Sequence, residues 1–446
     1  MSTETSVRLS SFRAPRAFAG LLALSAAFAA APAAAQDSVV VRLRAQYETQ
    51  RSPGFVVLPI AGGAGTEIAG ILRQDLQFSD RFEMAEATGY RAGQPLDLRA
   101  WSDRGADWVL EGTLTGTTLR LTLHDAVYGQ QKGTGTFTVP AAGTRSFRMA
   151  VHAASDAVVR WATGEPGMAA SRIAYVVQGR GSKEIYLVDS DGENATRVTS
   201  DGSISLSPSW SPDGSRIAYT SFRSGAPLLY ERNLSSGADR VLSDRGGINI
   251  TPSYAPDGRT VAFGTTVGGH TEIATVGPEG LRQHTRGRGY ENLSPSWSPD
   301  GRRLAFVSDR LGQPQIYVMT LGGEPRLVSE YGNRGYSTSP DWSPAGPVIA
   351  YHTRVNGRMQ IVAVDADGGR PRVLTSGATA EDPSWAPDGR HLVFASPDRD
   401  GGGLFVLDTV TGRIRPLLRG RGLGLPDWSP ALVRADGRTS TPAAGR

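Results

Sequence analysis

The sequence has no cysteine. Neither disulfides nor thiolate metal ligands can hold any part of it together, and lipid attachment through a cysteine is excluded. Histidine is scarce. The six present (His124, His152, His270, His284, His352 and His391) show no H-x-x-x-H or H-x-H spacing, so no transition-metal site is expected. No apolar run after residue 35 is long enough to cross a bilayer. Charge of one sign never accumulates either. The 47 Lys and Arg are interspersed with 43 Asp and Glu, which leaves no basic stripe for a phosphate backbone and argues against nucleic acid as a partner. Catalytic signatures are also missing. There is no G-x-S-x-G elbow, and the glycines after residue 60 fit neither G-x-G-x-x-G nor a Lys-Ser/Thr phosphate loop. No cofactor and no catalytic residue is expected.

What is present begins with an export signal. Arg8, Arg13 and Arg16 precede an apolar run, 17–30, and Ala33-Ala34-Ala35 supplies small residues before Gln36. This arrangement predicts a signal peptide over 1–35, cleaved between Ala35 and Gln36, and an exported, soluble chain. The formal net charge of +4 falls to +2 once this stretch, which itself carries +2, is removed.

Residues 36–54 form an N-terminal segment with strand-like Val39, Val40, Val41, Arg42 and Leu43. A small α+β domain is predicted over 55–163. It opens with a buried strand at 55–60 and a helix whose Ile68, Ile71, Leu72 and Leu76 share one face, with Thr66 as its cap. A short helical stretch at 96–101 and strands at 108–114, 119–124 and 134–139 follow. The domain closes with a helix over 145–162, where Phe147, Ala150, Val151, Ala154, Val158 and Trp161 lie on one stripe. Residues 164–170, glycine- and proline-bearing, read as a short stiff linker.

The remainder is periodic. Pro208-Ser209-Trp210-Ser211-Pro212-Asp213-Gly214 recurs with its aromatic at Tyr254, Trp297, Trp342, Trp385 and Trp428, at spacings of 44, 43, 45, 43 and 43 residues. A period in the forties is the length of one four-stranded propeller blade. In each copy Pro-Asp-Gly supplies a hairpin turn, the proline setting φ, the aspartate binding backbone and the glycine taking positive φ. Asp213, Asp257, Asp300 and Asp388 are therefore read as turn residues; the fourth copy has Ala345 in their place. The apolar triplet that follows, as in Ile217-Ala218-Tyr219, fits a strand buried between blades.

The ends set the blade count. Residues 172–199 supply a second, third and fourth strand with no first, and Pro426-Asp427-Trp428-Ser429-Pro430 is a first strand with no successor. Joined, they complete a sixth blade and close the ring, which leaves no open edge. The predicted architecture is thus multidomain, α+β then all-β: a small N-terminal α+β domain and a six-bladed β-propeller over 171–430. A polar tail, 431–446, is expected to be disordered.

The Trp-Ser-Pro-Asp-Gly-x-x-Ile/Leu-Ala-Tyr/Phe repeats, with the Ser171-Arg172-Ile173-Ala174-Tyr175 start and the Pro426–Pro430 close, resemble the bacterial TolB family rather than the Gly-His…Trp-Asp repeats of WD40 proteins. The resemblance implies a periplasmic, non-enzymatic component of the Tol-Pal system. Such a protein would bind the peptidoglycan-associated lipoprotein Pal through the propeller and TolA through the N-terminal segment, here Val39, Val40, Val41, Arg42 and Leu43. It would support outer-membrane integrity and constriction during cell division, as a monomer. Other outer-membrane or peptidoglycan-associated proteins are further candidate partners. The alternatives are a periplasmic propeller that binds a glycan or other ligand, and a propeller-type hydrolase.

Propellers meet partners with the loops that lead into their innermost strands, because those loops ring the channel mouth. On position before the repeated proline, Asn249, Thr251, Glu291, Asn292, Glu381 and Asp382 are the expected Pal contacts. Propeller occupancy is expected to be coupled to whether residues 36–50 are free or docked.

Overall fold

The structure, a computed structural model, describes residues 52–287, 289–329 and 335–433. The expectations for the signal peptide, its Ala35–Gln36 cleavage point, Val39 to Leu43 and residues 434–446 lie outside these. Ser52 onward forms one compact unit, in which a five-stranded sheet with three helices abuts the propeller.

The elements of that first part are β1 (Gly54–Val57), α1 (Gly65–Phe78), β2 (Glu83–Ala85), α2 (Leu98–Asp103), β3 (Trp108–Thr115), β4 (Thr118–Asp125), β5 (Gln130–Thr138) and α3 (Arg145–Thr163). The sheet order is β2-β1-β3-β4-β5, with β1 parallel to both neighbours and β3, β4 and β5 antiparallel. Period-two alternation sends Leu119, Leu121 and Leu123 inward, where they meet Ile68 and Leu72 of α1 and Val151 and Val158 of α3 in one core. Thr66 does not cap α1. The helix starts at Gly65, two residues before a Thr66 cap would place it, with Ala64 at the cap position and no side-chain cap. A Cβ at Gly65 would lie 2.0 Å from the Ile60 carbonyl oxygen, so the tight glycine turn sets the start. Helix α3 is capped by Thr144, whose Oγ1 accepts from the Phe147 N–H at 3.1 Å, and ends at left-handed Gly164.

Six four-stranded sheets follow. Their innermost strands are Leu423–Trp428, Ser205–Trp210, Asn249–Tyr254, Asn292–Trp297, Ser337–Trp342 and Glu381–Trp385. The second strands carry the predicted apolar triplets, and Ile217, Ala218 and Tyr219 are buried like their copies. Between blades, the indole N–H groups of Trp210, Trp297 and Trp385 donate to the carbonyls of Asp427, Ser253 and Asp341 in the preceding blade, each at 3.1 Å. Trp342 instead donates to Gly346 within its own turn, the turn in which Ala345 replaces aspartate.

The ring closes where the two ends of the repeat region meet. Trp428 pairs with Ile173 and Asp427 with Ala174 in an antiparallel ladder. The Trp428 indole donates to Ser171 Oγ at 2.7 Å, and the Arg172 N–H donates to Ser429 Oγ at 2.8 Å. The ladder does not stop at 430. The Leu432 N–H donates to the Ala170 carbonyl, and Leu432 and Val433 pack with Met149, Ala153 and Ala170, so residues 431–433 are anchored structure rather than tail. Residues 168–170 are anchored as well: the Asp156 carboxylate accepts from the N–H groups of Ala169 and Ala170 at 2.8 and 2.9 Å.

The α+β part docks on the Pro-Asp-Gly side of two adjacent blades. Arg81 faces Asp388, Arg413 donates to Asp80, Arg145 reaches the Asn194 carbonyl and Arg148 pairs with Asp191. These contacts all lie where innermost strands end. The other mouth of the channel, where those strands begin, lies away from them. Among the described residues no helix is long and apolar enough to cross a membrane.

Candidate functional site

The channel is built from a triplet repeated six times: Ser207-Pro208-Ser209, Thr251-Pro252-Ser253, Ser294-Pro295-Ser296, Ser339-Pro340-Asp341, Asp382-Pro383-Ser384 and Leu425-Pro426-Asp427 line a cavity of about 190 Å³. The proline lies inside the innermost strand, at a register shift in each of the six ladders. In each blade the residue before proline is left-handed, with φ from 48° at Leu425 to 53° at Ser294. Such φ values cost a non-glycine residue free energy, and their repetition at one level of the channel makes this ring the candidate site. Because these are edge strands, the missing proline N–H leaves no ladder bond unmade.

The residue after each proline holds the next blade. Ser209, Ser296 and Ser384 accept through Oγ from the N–H of Tyr254, Trp342 and Trp428 at 3.1, 2.9 and 3.0 Å. Asp341 and Asp427 do the same for Trp385 and Trp210 at 2.7 and 2.8 Å. Burial raises both carboxyls, Asp341 to about 6 and Asp427 well above its ordinary value, the latter also through the charge of Asp341. Together with Asp382 they make one side of the channel acidic, a feature that single copies of the motif do not reveal.

The six expected contact residues divide by depth. Asn249 and Asn292 are fully buried and present no surface to a partner. Asn249 Nδ2 donates to the carbonyls of Pro227 and Arg245, while its Oδ1 accepts from Ser243 and Thr265. Asn292 bridges Glu272 and Arg310. Both asparagines fix the loops from within, and the register shift that follows each of them, between Ile250 and Ser253 and between Leu293 and Ser296, breaks the alternation that would otherwise keep residues two apart on one side. Thr251 and Asp382 line the cavity. Thr251 Oγ1 accepts from the Ser294 N–H at 3.0 Å, and Asp382 Oδ1 accepts from Ser339 Oγ at 2.8 Å. Glu291 stands on the rim with a side chain 40% exposed. Burial opposes its charge, but bonds from Thr271 and His270 hold its carboxyl below the ordinary range. Glu381 is shifted the other way, upward, by burial and by Asp382 and Asp398.

A repeated clamp, not recognised in the sequence, holds the loops that lead to the ring. A buried Ser or Thr hydroxyl at 199, 285, 329 and 375 accepts from the N–H of Ile185, Ile273, Ile316 and Ile361, and donates to the preceding Glu184, Glu272, Gln315 and Gln360. The legible signal is the Glu/Gln-Ile pair followed by Thr or Ser 12 to 14 residues later.

Among the described residues, two groups of side chains lie close enough to hold a cation: Asp75, His152 and Asp191, and Asp80, His391 and Asp408. Arginines already neutralise both. Arg148 pairs with Asp191, Arg413 with Asp80 and Arg390 with Asp408, so these groups are ion-pair cores of the docking surface. Asp388 joins the second: besides accepting the turn N–H of Arg390, it accepts from His391 Nδ1 at 2.7 Å and faces Arg81, a role its turn motif did not disclose.

Residues 159–432 match the family described as TolB beta propeller domain. The chain belongs to the TolB family. It is similar to a Polaromonas protein named Tol-Pal system protein TolB, 35% identical over 202 residues covering 42% of this chain and 47% of that one. An Anaeromyxobacter protein of the same name is 36% identical over 242 residues, covering 49% and 54%. The chain thus spans about half the length of these curated relatives. The crystal structure of TolB from Acinetobacter baumannii superposes with a TM-score of 0.75 at 29% identity, covering 85% of this chain and 97% of that one.

Proposed function

We propose that this chain is a periplasmic, non-enzymatic interaction scaffold of the Tol-Pal system. It binds the lipoprotein Pal at the channel mouth and engages TolA through Val39, Val40, Val41, Arg42 and Leu43, supporting outer-membrane integrity and constriction during division. Residues 1–35 serve as the cleaved export signal, and the mature chain works as a monomer. The observation that carries the reading is the ring of six left-handed, proline-backed residues around an open cavity, at the end of the channel away from the docked α+β part. Such a mouth, with short hydroxyls, carboxylates and a small apolar fraction, suits a protein ligand held by hydrogen bonds around a modest dry contact. Family membership supports the same reading.

The test is co-purification from cross-linked cells. The wild type should retain Pal, and a Thr251→Arg, Asp382→Arg double variant of unchanged melting temperature should lose it. Equal recovery of Pal by both would remove the channel mouth as its site.

A further inference from the structure

One blade differs from the others beside the ring. At the position after the apolar triplet of the second strand the blades carry Val176, Thr220, Gly264, Val307 and Ala395, but the blade with innermost strand Ser337–Trp342 carries His352. Its cross-strand partner is Thr338, where three other blades have Leu206, Ile250 and Leu293. A polar pair, buried His352 with half-buried Thr338, therefore stands at this one place.

The hydrogen bonds fix the tautomer. His352 Nδ1 lies 3.0 Å from the N–H of Asp382. A backbone N–H can only donate, so Nδ1 accepts and carries no proton. The ring proton is on Nε2, 2.6 Å from Thr338 Oγ1, which accepts it. The amide held in this way belongs to Asp382 of the next blade, which is left-handed at φ 52°, lines the cavity and has its carboxylate 3.8 Å from the same Nδ1. Asp382 is the charged group that faces the imidazole, with Glu381 beside it in the chain. Burial keeps the ring neutral, and Asp382 pulls against it.

We propose that His352 is a positioning residue for the channel mouth. As a neutral imidazole it holds the Asp382 amide in the left-handed turn. In acid it gains a proton on Nδ1, releases that amide and draws the Asp382 carboxylate onto the imidazolium, weakening partner binding in this sector. The inference rests on the channel mouth being the Pal site.

The experiment compares the mature chain with its His352→Gln variant, using soluble, unlipidated Pal as probe at pH 7.5 and 4.5. Gln offers an acceptor but does not titrate in this range. The readout is the ratio of affinities at the two pH values within each protein. The wild-type ratio should exceed that of the variant by about tenfold, the scale of one lost hydrogen bond to a charged or strained group. Equal ratios would overturn the proposal. Uniformly labelled ¹⁵N spectra of the wild type without Pal, read at the imidazole nitrogens and at the backbone amides, provide the independent arm. They should show Nδ1 unprotonated at pH 7.5 and the Asp382 amide moving as His352 titrates; a protonated Nδ1, or an unmoved amide, also overturns it. Failure of Pal to bind at pH 7.5 would sink the proposed function, while the spectra still decide the role of His352.

Discussion

Asp80 and His391 face each other across the docking surface, with Asp80 Oδ2 3.5 Å from His391 Nε2 and both side chains almost wholly buried. The same handshake is made in reverse a short way along. There Asp191 of the propeller sits 3.6 Å from Nε2 of His152 on α3. In each case the other ring nitrogen is already held by a carboxylate of the ring's own part, Asp388 for His391 and Asp75 for His152. An imidazole with a carboxylate at each nitrogen is favoured as the doubly protonated cation.

Docking should therefore weaken in alkali. Burial works against a charged His152, but Asp75 and then Asp191 overcome it and carry the pKa up to about 9. A raised pKa means that the folded state binds the extra proton, so this contribution is complete below about pH 6.5 and lost as pH climbs through 9. Asp156, pushed to about 7 by burial against the bonds from Ala170 and Ala169, acts in the same direction over a lower window, losing its contribution as pH rises from about 4 to 7. Melting temperature between pH 7 and 10 should fall less steeply in His152→Gln than in the wild type. Parallel curves would show that His152 is neutral in the docked form.

Removing one partner of the handshake should loosen docking outright. Asp80→Ala leaves Arg413, whose side chain is 64% exposed, to solvent and takes from buried His391 one of its two carboxylates, Asp388 being the other, at a cost of about 1–3 kcal/mol, the scale of a buried polar group left without a partner. The expected readout is faster proteolysis within 164–170 while exchange protection inside the blades persists.

Trp428→Ala should open the ring. It deletes a buried indole and its bond to Ser171, a loss of about 3–5 kcal/mol in denaturant unfolding. Amides of Ile173 and Ala174 should lose exchange protection first. Uniform loss across all blades would mean that the seam is no weaker than the rest.

The strain in the ring is measurable as well. Ser207 is left-handed at φ 50°, so Ser207→Gly should stabilise the fold by about 1 kcal/mol and, by loosening the turn, weaken Pal binding. A destabilised variant would show that the Ser207 side chain contributes more than its conformation costs.

The propeller was legible because its physics is local and repeated six times: a turn tripeptide, a wedge aromatic and an apolar triplet recur in register, and the incomplete first and last copies imply closure. The ring was only half legible. Position before the proline marks Thr251 and Asp382, which reach the channel, and equally Asn249 and Asn292, which do not, because strand alternation and a bulge decide which way each side chain turns. The docking clusters left no signal at all. Asp75, His152 and Asp191 come from three distant stretches, and Asp388 stands in a turn motif that already accounts for it.

The sequence alone determined the blade number, the seam and the family, since periodicity and end-matching need only nearest-neighbour strand pairing. Tertiary structure decided which face of the wheel the α+β part docks on, which residues of the ring are exposed and where protons are held. Those properties depend on burial and on charges brought together from remote positions, and both exist only once the chain has closed.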